Sequence, residues 1–253
     1  MQYFSWVSGL VRFDLGRSYV SQVEIAPQIL DRLQVTLWLV VCAMVLAVVI
    51  AVPLGTLMAI WHRRPSGFVL TGLSQLGVAV PAFLAGILLI TVFAVRLGWL
   101  PANGWTPPNE DPVQFLRQLV LPVLSLGLIM AAVLIRYVRS AVLDVMNQDY
   151  LRTARAVGMT RTEALLKVGL RNASLPLVTI VGLQIAELIG GTVIIETVFS
   201  LPGLSRMMLA NVAAREVIVV QSTVMLIIIF VIGVNLLVDL LYGILDPRVR
   251  STR

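Results

Sequence analysis

The side chains in this sequence with the most potential for chemistry are three carboxylates, Glu187, Glu196 and Asp239, that fall within long apolar runs. An ionised carboxylate is costly in hydrocarbon, by about 2.5 to 3.5 kcal/mol for aspartate, so such groups usually face protein or water. Glu187 could hold a cationic group, or pair with a neighbouring backbone or hydroxyl group. Glu187 and Glu196 are nine residues apart. This is a rotation of about 900° along a helix, so we expect them to point to opposite faces.

The sequence lacks the patterns typical of an enzyme or a metal site. It contains one histidine, His62, in a short Trp-His-Arg-Arg stretch, and one cysteine, Cys42, in an apolar run. It has no H-E-x-x-H or clustered Cys and His, no G-x-S-x-G element and no G-x-x-x-x-G-K-[ST] phosphate loop. We therefore predict no catalytic residue, no metal site and no cofactor bound by this chain.

The composition indicates a membrane protein. Hydrophobic residues make up 58% of the 253 residues and charged residues 13%, with a mean hydropathy of +0.94. A soluble domain is about 25% charged, and a helix needs about 20 apolar residues to cross a bilayer core of about 30 Å. We predict an all-α, polytopic transmembrane helical bundle with about five spans, at residues 35–60, 68–95, 119–135, 175–198 and 219–241.

The distribution of cations predicts the orientation in the bilayer. Cations without matching acids concentrate in residues 62–64, 136–171 and 248–253. Positive charge is retained on the cytoplasmic side, so residues 1–34 are predicted to be extracytoplasmic and residues 247–253 a cytoplasmic tail. Residues 35–246 form the transmembrane domain, with a cytoplasmic loop at 139–174. The net charge of +6 lies in short loops without interleaved aromatics, so it indicates the lipid bilayer as a partner and no nucleic acid.

The most distinctive part of that loop is the basic segment 150–176. Asp149 is predicted to cap a helix over 150–157, and Gly158 suits the left-handed residue that ends it. The pattern predicts a compact cytoplasmic helix-turn-helix with small residues at its corner. Such a corner is suited to docking a soluble partner.

The second helix of this pair has its own start signal. Thr160 and Glu163 form a T-x-x-E capping box, from which a helix is predicted to run toward Gly169. Two further patterns follow in the fourth span and after it. Gly182-x-x-x-Ala186-x-x-x-Gly190 is a ladder of small residues that allows a close helix approach, and residues 205–213 have room for a short helix at the membrane surface.

The segment Arg152-Thr-Ala-Arg-Ala-Val-Gly158 resembles the Glu-Ala-Ala loop of ABC-importer permeases, in the form found in the dipeptide/oligopeptide/nickel group. In that family the loop is a coupling helix that sits in a cleft of the cytoplasmic ATPase. Arg152 replaces the glutamate of the general motif and Arg171 a later proline, and the peptide subgroup shares both changes. The resemblance implies that ATPase coupling involves Arg152, Ala154, Arg155, Ala156 and Gly158.

The resemblance extends over the rest of the chain. The matching segments are Leu97-Gly-Trp-Leu-Pro101, Thr197-Val-Phe-Ser-Leu-Pro-Gly-Leu204, Asp246-Pro-Arg248 and, before the first span, Phe13-Asp-Leu-Gly-Arg-Ser-Tyr19. Family members begin with an additional transmembrane helix, so the chain is expected to lack the first helix of the family.

The resemblance implies the permease subunit of an ATP-driven importer of the cytoplasmic (inner) membrane, with its carboxyl terminus in the cytoplasm. Its partners would be a second permease in a heterodimer, two cytoplasmic ATPase subunits that use the ATP, and an extracytoplasmic substrate-binding protein. The implied cargo is peptides or related small solutes, nickel complexes included. Residues that could line the translocation path are Pro81, Glu187 and Glu196.

Several alternatives stay open from the residues alone. Pro81 could be a packing kink, and Glu187 could be a buried, hydrogen-bonded carboxylate. An ion-coupled secondary transporter is the other class of function, and it predicts inverted repeats and a relay of ionisable groups within the spans.

Overall fold

The computed structural model describes residues 15–62 and 64–245, and the regular elements in this part of the chain are helices. The proposed tail at 247–253, the Asp246-Pro-Arg248 match and the first fourteen residues lie outside it. The helices are α1 (Ile25–Ile60), α2 (Pro65–Ala79), α3 (Ala82–Leu89, continued by a π-helical segment Ile90–Arg96), α4 (Pro112–Met146), α5 (Asp149–Ala156), α6 (Arg161–Ala164, continued by a π-helical segment Leu165–Gly169), α7 (Leu170–Val198), α8 (Leu204–Ala213) and α9 (Val217–Leu245).

Four helical stretches in the described part of the chain are long and apolar enough to cross a membrane: Ile25–Ile60, Pro112–Met146, Asn172–Val198 and Val217–Val238. A shorter apolar helix, Ala82–Arg96, accompanies them. The continuous span predicted over 68–95 is corrected to two helices. The chain leaves the helical conformation at Val80 (φ -83°, ψ 120°) and Pro81 (φ -62°, ψ 141°), because proline lacks an N–H and disfavours helix in the residue before it.

The core of the bundle lies between α1 and α4, which pack along most of their lengths. Two glycines permit this close approach. A Cβ on Gly55 would lie 2.7 Å from the Cβ of Val138, and one on Gly127 would lie 3.0 Å from the carbonyl oxygen of Ala43. Helix α7 also packs against α4, and α9 packs against α7, so α4 is the central helix of the bundle.

The ladder of small residues in α7, from Gly182 to Gly190, packs closely against another helix at its Gly182 end and not at its Gly190 end. Gly182 is buried against α9, where an added Cβ would lie 2.5 Å from Cγ2 of Val238. Gly190 is exposed, and nothing lies within 4 Å of the position its Cβ would take. The partner of the Gly182 end is therefore α9 of this same chain.

We expect Gly182→Ala and Gly190→Ala to have opposite effects on stability. Alanine at 182 overpacks the α7–α9 contact and should lower the free energy of unfolding by about 1 to 3 kcal/mol. Alanine at 190 has free space and a better helix propensity, worth up to about 1 kcal/mol. Denaturant titration of the purified chain in detergent measures both, and equal destabilisation by the two variants would contradict the close packing at Gly182.

A polar contact joins the segment before α1 to the start of α9. The carboxylate of Glu216 accepts hydrogen bonds from Ser18 Oγ (2.8 Å), the Tyr19 N–H (3.1 Å) and the Val20 N–H (2.7 Å). The hydrogen bond from Ser18, followed by those from the two backbone N–H groups, lowers the pKa of Glu216. This carboxylate therefore stays ionised and holds the segment in place at neutral pH.

Candidate functional site

The predicted helix-turn-helix forms as α5 and α6, and we call residues 149–169 the α5–α6 segment. Its first cap differs from the prediction. Asp149 lies in the first turn of α5, Gln148 occupies the N-cap position without a side-chain hydrogen bond, and Asp149 instead pairs with Arg152 at 3.1 Å (Oδ1 to Nη1). The predicted cap at Asp149 is wrong because its backbone is already helical, but its charge still suits the positive end of the helix.

The corner between the two helices adopts the predicted left-handed conformation at Gly158, with φ 105°. The N–H of Gly158 donates to the Arg155 carbonyl (3.0 Å) and the Met159 N–H to that of Ala154 (3.3 Å), so the turn satisfies the last carbonyls of α5. Nothing lies within 4 Å of the position a Cβ on Gly158 would take. Backbone conformation, and not packing, is therefore what favours glycine here.

The capping box at the start of α6 is confirmed. Thr160 Oγ1 accepts from the Glu163 N–H at 3.2 Å, and the Glu163 carboxylate accepts from Lys167 Nζ at 2.7 Å. The pKa of Glu163 is lowered, first by the hydrogen bond and charge of Lys167 and further by the Thr160 N–H. The helix does not end near Gly169: it passes through the π-helical segment into α7. The α6 helix is therefore joined to a membrane span by continuous helical structure.

The α5–α6 segment has one side against the bundle and one side exposed. Leu151 and Leu165 are buried in the main core, and a Cβ on Gly169 would lie 3.1 Å from Cγ1 of Val145 in α4. Of the five residues predicted for ATPase coupling, Ala154 is half-buried against the core. The other four form part of the exposed side: Arg152, Arg155, Ala156 and Gly158. Val157 between them is 80% exposed.

The structure places Glu187 and Glu196 on opposite sides of α7, as predicted. Glu187 is exposed near the middle of the span, and Glu196 is buried at its far end. Glu187 belongs to a continuous exposed stripe at helical spacing: Thr179, Leu183, Glu187, Gly190, Ile194 and Thr197. Pro81 is also exposed, and Asp239 lies in α9. Glu187 and Pro81 are thus accessible on this chain, whereas Glu196 is enclosed.

Glu196 joins α1, α7 and α8 through a network of hydrogen bonds. Its carboxylate accepts from Thr36 Oγ1 of α1 (2.6 Å) and from the Arg206 N–H of α8 (2.9 Å). Thr36 Oγ1 in turn accepts from the Leu204 N–H at 2.9 Å. A Cβ added at Gly203 would overlap the Glu196 carboxyl group. Glu196 is therefore a buried, hydrogen-bonded carboxylate in this conformation, whereas Glu187, for which that environment was the alternative, is exposed.

Sequence reasoning missed Thr36, which completes this network. A threonine in an apolar run gives no local signal of its partner, which here lies 160 positions away along the chain. The short helix predicted at 205–213 is confirmed as α8. The Thr197 to Leu204 match therefore coincides with the end of α7, the turn and the first residue of α8.

Comparisons with known proteins agree with this architecture. Residues 51–251 match the family model described as binding-protein-dependent transport system inner membrane component. The glutathione transport system permease protein GsiC of Escherichia coli O6:H1 (strain CFT073) is 40% identical over 252 residues, which is 98% of this chain and 79% of the relative. GsiC of Escherichia coli K12 is 39% identical over the same shares.

Solved structures show the same fold. An inward-facing form of the MetNI methionine ABC transporter superposes with a TM-score of 0.70 at 18% identity, over 86% of this chain and 96% of that one. An amino acid ABC transporter crystallised with histidines gives 0.64 at 18% identity, over 90% and 98%. The chain therefore belongs to the family of binding-protein-dependent transport system inner membrane components, as a multi-pass, non-catalytic permease subunit of an ABC importer whose ATP is used by partner subunits.

Proposed function

We propose that this permease imports peptide-like solutes that carry free carboxylates, and that the exposed side of the α5–α6 segment is its contact with the ATPases. The observation that carries the coupling role is the exposed corner at Gly158, held on both sides by long spans. The two GsiC relatives are named for glutathione transport. Glutathione is therefore the first cargo to test.

The geometry supports a direct mechanical route through the bundle. A push on the exposed face of α5 would reach α4 through Leu151 and α7 through the unbroken helix at Gly169. Helix α7 has 29 residues and is about 43 Å long at 1.5 Å per residue. Its far end holds α8 through Glu196. Closure of the ATPases would thus act on α8 through the length of α7.

We further propose that the α5–α6 end of the bundle is cytoplasmic, as the carboxyl terminus is, and that α8 lies on the extracytoplasmic side. Support comes from the arginines that flank the α5–α6 segment, which would be retained in the cytoplasm. The substrate-binding protein of the importer would then meet the α8 end.

The exposed stripe on α7 is the proposed wall of the translocation path. It would face a second permease across that path in a heterodimer, because a carboxylate such as Glu187 is favourable in a membrane only next to protein or water. Glu187 would hold an ammonium group of the cargo there. Pro81 would widen the path by breaking its helix. For Glu196 we propose a different role, the attachment of α8.

Cross-linking tests the coupling role. In the assembled transporter, Ala156→Cys is expected to cross-link to a cytoplasmic ATPase subunit, since Ala156 is exposed on the corner. Ala164→Cys is the matched control, because Ala164 is fully buried on the second helix of the same segment. Mass spectrometry of the cross-linked band identifies the partner. Cross-linking from both positions, or from neither, would contradict the proposed interface.

A further inference from the structure

Two adjoining cavities lie at the α8 end of the bundle. The first, of about 460 Å³, lies between α1 and α8 and is lined by residues that include Arg32, Arg206 and Asn211. The second, of about 390 Å³, adds Asp31 and Trp105. Both are within the roughly 300 to 1,000 Å³ typical of small-molecule sites. Both are also lined by Gln28, Arg32 and Pro202, so together they form one cleft with two lobes, which we call the α1–α8 cleft.

The first lobe is cationic, and the backbone of one of its arginines and the side chain of the other are anchored by hydrogen bonds. The Arg206 N–H is held by Glu196, which orients the first turn of α8. Arg32 donates from Nη1 to the Pro202 carbonyl at 3.2 Å, and a guanidinium has five N–H donors. Arg32 is therefore anchored with donors to spare.

Neither guanidinium is neutralised by an ion pair in the described ranges. The ion pairs found within 15–62 and 64–245 are Arg17–Glu24, Arg152–Asp149 and Lys167–Glu163. Glu196 is close enough to interact with the Arg206 charge, but its oxygens are occupied by Thr36 and the α8 backbone. Two arginines against one buried acid leave an excess positive charge, which suits a carboxylate ligand.

The second lobe has the opposite character. Asp31 is exposed and, among the described residues, forms no ion pair, although Arg32 is its neighbour in the chain. The Trp105 ring that shares this lobe packs edge-on against Phe115 at 5.4 Å between centroids, which fixes its position. Asp31 and Trp105 line the same lobe, and a carboxylate together with an aromatic ring can hold an ammonium group.

We propose that the α1–α8 cleft binds a zwitterionic solute, with its carboxylate between Arg32 and Arg206 and its ammonium group at Asp31 and Trp105. The inference rests on the proposed peptide-like cargo and specifies the site that receives it on the permease. The competing occupant of the cleft is an acidic side chain of the binding protein, which would use the arginine lobe and leave the Asp31 lobe without a ligand. The presence of both charges in one cleft favours a small molecule that carries both.

The test uses the complete transporter in nanodiscs without its binding protein, with L-alanyl-L-alanine, glutathione and L-alanyl-L-alanine amide as probes. Wild type is expected to bind the two acids at least tenfold more tightly than the amide. Arg206→Gln should weaken binding of the acids about tenfold, because a charge-assisted hydrogen bond is lost, and Asp31→Asn should weaken it about fivefold. Arg206→Lys should restore part of the affinity.

The matched controls are Arg96→Gln and Glu110→Gln, which remove exposed charges that do not line the α1–α8 cleft. They should leave the dissociation constants unchanged, and melting temperatures should show that every variant is folded. Equal affinity for dipeptide and amide, or unchanged binding in Arg206→Gln, would overturn the proposal. So would a variant that binds the probes normally but loses stimulation of ATP hydrolysis by the binding protein, since the arginine would then contact that protein.

Uptake by wild type in proteoliposomes with the binding protein distinguishes a failure of the proposed cleft from a failure of the proposed cargo. If either acid is imported but its affinity is the same in wild type and in Arg206→Gln, the cleft assignment alone is wrong. If neither acid is bound or imported, the peptide-like cargo is wrong and the cleft assignment is overturned with it.

Discussion

Glu196→Ala is expected to release α8 from the bundle and to lower the free energy of unfolding by about 3 kcal/mol or more. The variant removes the acceptor of the Arg206 N–H and the nearer acceptor of the Thr36 hydroxyl, which keeps only a 3.5 Å contact to the Arg32 carbonyl. A buried donor that loses its partner costs about 1 to 3 kcal/mol. A cavity forms as well, because the carboxyl group fills the space beside Gly203. Denaturant titration in detergent measures the loss, and hydrogen exchange at Leu204 and Arg206 shows where it occurs.

Three further variants show whether this effect belongs to the network. Glu196→Gln should lower the free energy of unfolding by an intermediate amount. Its one amide oxygen can keep the hydrogen bond from Thr36, but the NH2 group that replaces the other oxygen cannot accept from the Arg206 N–H. Thr36→Val combined with Glu196→Ala should cost less than the sum of the single variants, because they remove the same bond. Thr197→Ala is the matched control, since that exposed hydroxyl donates to the Val193 carbonyl and has no other hydrogen-bond partner among the described residues. If Glu196→Ala is no worse than Thr197→Ala, the carboxylate does not hold α8.

Local patterns in the sequence predicted the features of the fold that depend on interactions between residues close together in the chain. The Thr160 capping box and the positive φ of Gly158 follow from a few neighbouring residues, and both form as predicted. The cap at Asp149 fails by a single position, which is the scale on which helix ends are ambiguous. Long-range pairing is different: nothing near Thr36 or Glu196 in the chain identifies the other.

The small-residue ladder shows the same division. Its spacing predicted a close helix approach, but only the structure shows that Gly182 meets α9 while Gly190 is open. Likewise, the sequence placed three acids in apolar runs, and tertiary packing gave Glu187 and Glu196 different environments. The family assignment also decides against the ion-coupled carrier, which residue types alone had left open.

Gly158→Val is expected to reduce the number of cargo molecules imported per ATP hydrolysed at least tenfold, while basal ATP hydrolysis continues. Valine has ample space at this corner, so the effect is conformational: a non-glycine residue in the left-handed region is strained by roughly 1 to 3 kcal/mol. The chain relieves that strain by changing the turn between α5 and α6. Arg155, Ala156 and Val157 on the exposed side would then no longer match the ATPase surface.

Two matched variants separate this loss from general strain. Gly98 also has a positive φ, 64°, with nothing within 4 Å of its Cβ position, but it follows α3, well away from the corner in the chain. Gly98→Val likewise places a β-branched residue at a positive φ and should keep the wild-type ratio of transport to ATP hydrolysis. Gly158→Asn should stay close to wild type, since asparagine tolerates the left-handed conformation. Uptake and phosphate release measured together in proteoliposomes give the ratio. A Gly158→Val transporter that couples as well as Gly98→Val would show that the shape of this corner does not control coupling.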